Sequence, residues 1–165
     1  MFIDGRKIAN DLLSILKRER KTIKKRIGLS VFLVGNAPDQ LSFVKIKSEM
    51  AKALKIDFKL IHLTRTPNFI DFANLLKKEV FNPNVTGIII QQPLPAQLST
   101  DSIYDYIPLS KEIEGHKRKT DFIFPLGLAV MTLIKYIYYG KKKQDIVFVD
   151  MKKDRILFKN ILKSK

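Results

Sequence analysis

Apolar residues recur near helical spacing at Ile8, Leu12, Ile15, Leu16 and Ile23, and charged residues fill many of the positions between them. That spacing predicts a helix over 6–26 with one apolar stripe. Leu29 to Val34 is a mostly apolar run of buried-strand type, stopped by Gly35-Asn36-Ala37-Pro38. A second helix is predicted over 41–55, with Val44, Met50, Ala51 and Leu54 as core contacts. Asp57 to Leu63 predicts a strand. Thr66-Pro67-Asn68 opens a helix to about Val80, with Pro67 fixing the chain entry. Gly87 to Gln91 predicts a third strand, and Ser99, Thr100 and Asp101 offer caps for a short helix to about Ile107.

Helix and strand alternate throughout this stretch, which argues for a parallel sheet with helices on its faces. Pro108 to Asp121 reads as a charged loop. Pro125 suits the first turn of an apolar helix to about Tyr138, which Gly140 would end. A short strand over 145–149 and a basic helix over 152–163 complete the pattern. The expected architecture is α/β.

Gly87-Ile-Ile-Ile-Gln-Gln-Pro-Leu-Pro95 changes the picture most. Pro93 cannot donate to a sheet ladder, so the strand should stop at or before it. Gln91 then sits near the carboxyl end of a central strand, where open α/β sheets bind ligands. A buried strand ending in an arbitrary polar residue is the plainer alternative.

Composition narrows the classes. There are no cysteines, which removes disulfides and cysteine-based metal sites. No segment has the apolar length of a membrane span. The N-terminus lacks the apolar region of a signal peptide, so a cytoplasmic protein is expected. Net charge is +15, which fits an acidic partner such as nucleic acid, a phosphorylated cofactor or a polycarboxylate substrate, with a lysine- and isoleucine-rich compositional bias as the plainer reading. Lysine outnumbers arginine 24 to 7, and the lysines are scattered. A nucleic-acid binder more often gathers them on one face, so neither nucleic acid nor membrane is an expected partner.

Candidate chemistry is sparse. Phe43 and Lys47 are four apart and share a helix face. A lysine facing a cleft can act as a base if burial holds it neutral, far below its ordinary value of about 10.4. Gln91 could position it. Otherwise Lys47 is one surface lysine among many. Glu112 and Glu114 could bind a polar heterocycle, or are simply solvated in a charged loop. His62 falls in a strand and reads as structural. His116 has no obvious partner. Two histidines without HxxxH or HxH spacing make no metal site, so none is expected. No glycine occurs after Gly140, whereas a dinucleotide fold needs glycines at its strand-to-helix turn.

Five segments in order resemble the bifunctional methylenetetrahydrofolate dehydrogenase/methenyltetrahydrofolate cyclohydrolase family. They are Ile3-Asp4-Gly5-Arg6-Lys7-Ile8-Ala9, Leu33-Val34-Gly35-Asn36-Ala37-Pro38, Phe43-Val44-Lys45-Ile46-Lys47, Gly87 to Pro95, and Lys111-Glu112-Ile113-Glu114-Gly115. The resemblance implies a three-layer parallel-sheet catalytic domain that binds folate over 1–125. Residues 126–165 would then be a linking helix and a truncated remnant of the Rossmann-type dinucleotide-binding domain.

By the same resemblance, Lys47 would assist proton transfer and water activation in opening the methenyl bridge. Gln91 would hold Lys47 and favour its neutral form. Glu114 stands where the family's aspartate would bond the pterin ring. Phe43 would stack on the folate, and Pro93, Leu94 and Pro95 would wall the site. The implied substrate is a tetrahydrofolate derivative, with or without a polyglutamate tail, and the implied cofactor is NADP. The family is homodimeric. Phe43 lacks the phenol hydroxyl of the family's tyrosine, and Glu114 is one methylene longer than aspartate. The family's Gly-Arg-Ser nucleotide loop is missing, so the cyclohydrolase step, which needs no nucleotide, is the expected survivor. The alternative is an inactive remnant or a folate-binding module without turnover.

Overall fold

The computed structural model describes residues 4–117 and 119–138. The expected strand over 145–149, the helix over 152–163 and the stop at Gly140 lie outside the described residues. The chain divides into two compact units, Met1–Glu112 and Ile113–Lys165.

The first unit runs α1 (Gly5–Thr22), β1 (Gly28–Val34), α2 (Pro38–Ala53), β2 (Asp57–Leu63), α3 (Phe69–Phe81), β3 (Gly87–Ile90) and a 3-10 helix over Asp101–Tyr106. The strands form one parallel sheet in the order β2-β1-β3. The alternation read from the sequence is therefore the observed one. The sheet order differs from expectation in one respect. β1, not β3, is central, and β3 is an outer strand among the described residues. Its far side is not bare: Ile88 bridges to Glu112, and Ile88 N–H donates to the Lys111 carbonyl at 2.9 Å. All four residues of β3 are buried.

Side chains on a strand alternate between the two faces. Phe32 and Val34 of β1, with Ile88 and Ile90 of β3, form one core with Phe72 and Leu76 of α3. Phe32 and Phe72 meet edge to face at 5.7 Å. Leu94, Leu98, Ile103 and Ile107 close that core beneath the segment after β3. The alternate residues Val31 and Leu33 are also fully buried. α2 contacts β1 and β2 and buries Val44 and Ala51. Burying side chains of this size contributes about 1.5–3 kcal/mol each, and this sets the sheet as the rigid base of the unit.

Helix ends follow local chemistry. The Asp4 carboxylate accepts from the Arg6 and Lys7 N–H groups at 3.0 Å each. Asn68 caps α3 by accepting from Asp71 N–H at 2.9 Å. α2 has no side-chain cap and begins instead with Pro38, whose missing N–H is no loss in a first turn. Thr100 precedes the 3-10 helix without capping it.

One core expectation fails, and the apolar stripe of α1 is left mostly uncovered. In α1 only Ile8 is buried, while Leu12, Ile15, Leu16 and Ile23 stay 42–49% exposed. α1 makes no extensive contact with any strand, so its apolar stripe has no sheet face to cover within this unit. Met50 is likewise 41% exposed, because α2 turns Val44 and Ala51 inward instead.

The second unit holds α4 (Pro125–Tyr138), with Pro125 in its first turn as the sequence predicts. Gly115 adopts a φ of 78°. A Cβ there would lie 2.7 Å from Phe124 N and 2.9 Å from Phe122 O, so only glycine fits that turn. None of the helices is long and apolar enough to cross a membrane among the described residues.

Candidate active site

Lys47 and Gln91 meet at the carboxyl end of the sheet. β3 ends at Ile90, and Gln91 N–H makes the last ladder bond, to Phe32 O at 2.9 Å. That bond fixes the Gln91 backbone, and its side chain is only 8% exposed. Lys47 lies midway along α2 and is half-buried. Its Nζ donates to Gln91 Oε1 at 2.8 Å. The two residues are 44 apart in sequence, so the fold, not the local chain, makes this pair.

The amide orientation of Gln91 is determined by its other contact. Nε2 donates to the Gln92 carbonyl at 2.8 Å, which leaves Oε1 for the lysine. The segment after Gln91 is held by side chains. Gln92 Oε1 accepts from Leu94 N–H at 3.0 Å and its Nε2 donates to Tyr104 Oη at 2.6 Å. The Gln92–Pro93 peptide is cis. Gln40, in the first turn of α2, donates from Nε2 to the Pro93 carbonyl at 2.7 Å.

The other expected site residues are distributed as follows. Phe43 shares the Lys47 face of α2 and is 57% exposed, open to a planar ligand. Pro93 is exposed and Pro95 half-buried. The Leu94 side chain joins the core with Ile90 and Leu98, so it anchors the loop from below. Glu114 belongs to the second unit, where it is half-buried and 3.7 Å from His116 Nε2. His116 thus has a partner that the sequence did not suggest. Glu112 is not solvated: it is 2% exposed and pairs its backbone with Ile88. His62 Nε2 lies 2.8 Å from the Gly35 carbonyl, a structural contact that helps hold the turn after β1.

Sequence reasoning missed Gln40, Gln92 and Tyr104. The signal for Gln40 was present. Residues 40, 44, 47 and 51 recur at helical spacing, so a glutamine there interrupts the stripe of α2 that holds Val44 and Ala51.

At the opposite end of the strands lies a second polar cluster. Ser30 Oγ donates to Glu79 Oε2 at 2.6 Å, and Lys59 Nζ donates to the other carboxylate oxygen. Burial alone raises the Glu79 carboxyl. The hydrogen bonds from Lys59 and Ser30, with the charges of Lys59 and Lys111, outweigh burial and hold it below its ordinary value. Lys111 Nζ also donates to the Val80 and Asn82 carbonyls at 2.6 and 2.8 Å, closing the end of α3.

Among the described residues no three His, Asp or Glu side chains converge to hold a metal ion. Nor do the described residues hold a glycine-rich pyrophosphate turn. The turn from β1 to α2 holds one glycine, Gly35, and the turn from β2 to α3 holds none, where a pyrophosphate turn uses three.

The family model "Tetrahydrofolate dehydrogenase/cyclohydrolase, catalytic domain" matches residues 3–114. A protein of Rickettsia bellii named "Bifunctional protein FolD" is 35% identical over 117 residues, covering 68% of this chain and 41% of that protein. The crystal structure of the bifunctional FolD methylenetetrahydrofolate dehydrogenase/cyclohydrolase from Campylobacter jejuni superimposes with a TM-score of 0.73 at 25% identity, over 81% of this chain and 52% of that one. The Trypanosoma brucei enzyme, solved with NADP cofactor and inhibitor, shares the fold at a TM-score of 0.74 and 20% identity, over 83% of this chain and 52% of that one. The chain spans about half the length of the relatives it matches.

Proposed function

This chain belongs to the tetrahydrofolate dehydrogenase/cyclohydrolase family, and on that premise we propose that it hydrolyses 5,10-methenyltetrahydrofolate to 10-formyltetrahydrofolate. The observation that carries the reading is the 2.8 Å contact between Lys47 Nζ and Gln91 Oε1 beside the exposed Phe43 ring. Water adds to the electrophilic methenyl carbon, and Lys47 takes a proton from it. The new hydroxyl then gives up its proton and becomes the formyl carbonyl as the bond from that carbon to N5 breaks, N5 takes up a proton, and the formyl group stays on N10. One water is consumed and one proton is released overall. A positioned acid–base group of this kind contributes about 100- to 10,000-fold. Gln91 fixes the direction of the lysine, and Phe43 offers a ring face to the folate.

Hydride transfer to NADP is not part of this proposal, because the turns among the described residues hold no glycine-rich pyrophosphate loop. Net charge of +15 favours an anionic substrate, and a polyglutamate tail would add to that attraction. The proposed setting is one-carbon metabolism in the cytoplasm.

The test is the absorbance of methenyltetrahydrofolate with the purified chain. Decay faster than buffer, with no NADPH formed from methylenetetrahydrofolate and NADP, is the expected result. Saturable folate binding with decay no faster than buffer would replace the enzyme with a binding module. The missing hydroxyl at Phe43 favours that second reading.

A further inference from the structure

The Lys47–Gln91 pair is built from two elements, and one buried amide joins them. Gln40 is 4% exposed and lies on the same α2 face as Lys47, two turns earlier. Its Nε2 donates at 2.7 Å to Pro93 O, a residue 53 positions away. Pro93 follows Gln91 by two residues. The bond therefore fixes the start of α2, which carries Lys47, against the loop that leads away from Gln91.

The loop's other ties run beneath it: Leu94 packs in the core, and the Pro95 carbonyl accepts from Leu98 and Ser99 N–H at 2.9 and 3.0 Å. Pro93 and Pro95 have no N–H to donate. Leu94 N–H is used on its neighbour Gln92, and the Gln92 amide reaches only Tyr104, in the segment beneath the loop. None of these contacts reaches α2. The Gln40 bond does.

We infer that Gln40 is a positioning residue, whose buried amide sets the distance and direction between Lys47 and Gln91 by tying α2 to the Pro93 carbonyl. Its kinetic consequence rests on the cyclohydrolase reading, whereas its geometric consequence does not. Removing the donor should cost little stability, because Pro93 is exposed and its carbonyl can turn to water. It should cost position. A shift of about 1 Å in reacting groups lowers rates roughly 100-fold, and loss of one tether is expected to lower turnover about tenfold.

Two substitutions in the full chain test this. Gln40→Met keeps the volume and removes the donor. Gln40→Glu keeps the shape and sets a carboxylate against a carbonyl, two acceptors with no proton between them. The side-chain amide resonances of Gln91 in nitrogen-15-labelled protein report the geometry directly. Both variants are expected to shift and broaden those resonances at neutral pH, with the melting temperature of Gln40→Met close to the parent's and that of Gln40→Glu lowered by its buried unpaired carboxylate. Methenyltetrahydrofolate hydrolysis is expected to lose kcat about tenfold, with KM changed less than about threefold. Acidification should restore Gln40→Glu towards the parent as its carboxyl gains a proton to donate, and should not restore Gln40→Met. Unchanged Gln91 resonances in both variants would overturn the inference whatever the activity. So would a fall in melting temperature with kcat and the Gln91 resonances in place, which is the mark of a packing role. If the parent chain does not turn over, the cyclohydrolase reading fails and the resonances still decide the role of Gln40.

Discussion

The two ends of the same parallel sheet hold comparable polar clusters with different consequences. At the carboxyl end, Lys47 and Gln91 meet beside an exposed aromatic ring, on a proline-containing loop held by side chains. At the amino end, Ser30 and Glu79 are buried at 0% and 6% exposure and are tied to Lys59 on the neighbouring strand. The amino-end groups satisfy one another, so removing one leaves another buried and unpaired. The carboxyl-end groups sit where a substrate can reach them. One cluster serves stability, and the other is available for chemistry.

Substitutions that act on one end alone sharpen this contrast. Among substitutions that leave Lys47 in place, the largest expected effect is Gln91→Leu, which should lower methenyltetrahydrofolate hydrolysis about 100-fold and leave the melting temperature within a few degrees. Glu79→Ala should do the reverse. It leaves the Ser30 hydroxyl buried without its acceptor, at a cost of about 2 kcal/mol. That is a fall of roughly 4–8 °C in melting temperature, read by circular dichroism, with turnover retained.

Acid should separate the ends as well. The folded-state value of Glu79 lies below its ordinary 4.5. Its stabilisation is therefore fully present above that ordinary value and is lost as pH falls through the lower, folded-state value. Melting temperature against pH should drop more steeply below 4.5 in the parent chain than in Glu79→Gln. Lys111→Met gives the smallest effect. It frees the Val80 and Asn82 carbonyls at the end of α3, for a loss of about 1 kcal/mol in urea unfolding.

The sequence disclosed the two ends unequally. Strand and helix alternation was legible because β1, α3 and β3 are bounded by Gly, Pro or Asn and the others keep helical or strand spacing. Gln91 was legible because a proline fixes where β3 must stop. The meeting of Lys47 with Gln91 was an expectation from resemblance, and the structure supplies its distance. The amino-end cluster was not legible at all. Ser30, Lys59 and Glu79 lie on three elements, and no local pattern distinguishes them from solvated residues. Glu112 was misread for the same reason: it is buried and bridges to Ile88, and no local pattern discloses either. The stripe of α1 misled in the other direction, since helical spacing reveals an apolar face but not whether anything in the unit covers it.

The most direct measurement pairs two lysines, each of which donates to a side chain far away in sequence. Lys47→Met and Lys59→Met should be made in the full chain and scored for both turnover and melting temperature. The expected result is a crossing. Lys47→Met loses about 1,000-fold in methenyltetrahydrofolate hydrolysis with an unchanged melting temperature. Lys59→Met keeps its turnover and melts about 3–6 °C lower. Equal loss of turnover in both variants, or Lys47→Met hydrolysing at the parent rate, would contradict the assignment of chemistry to the carboxyl end of the sheet.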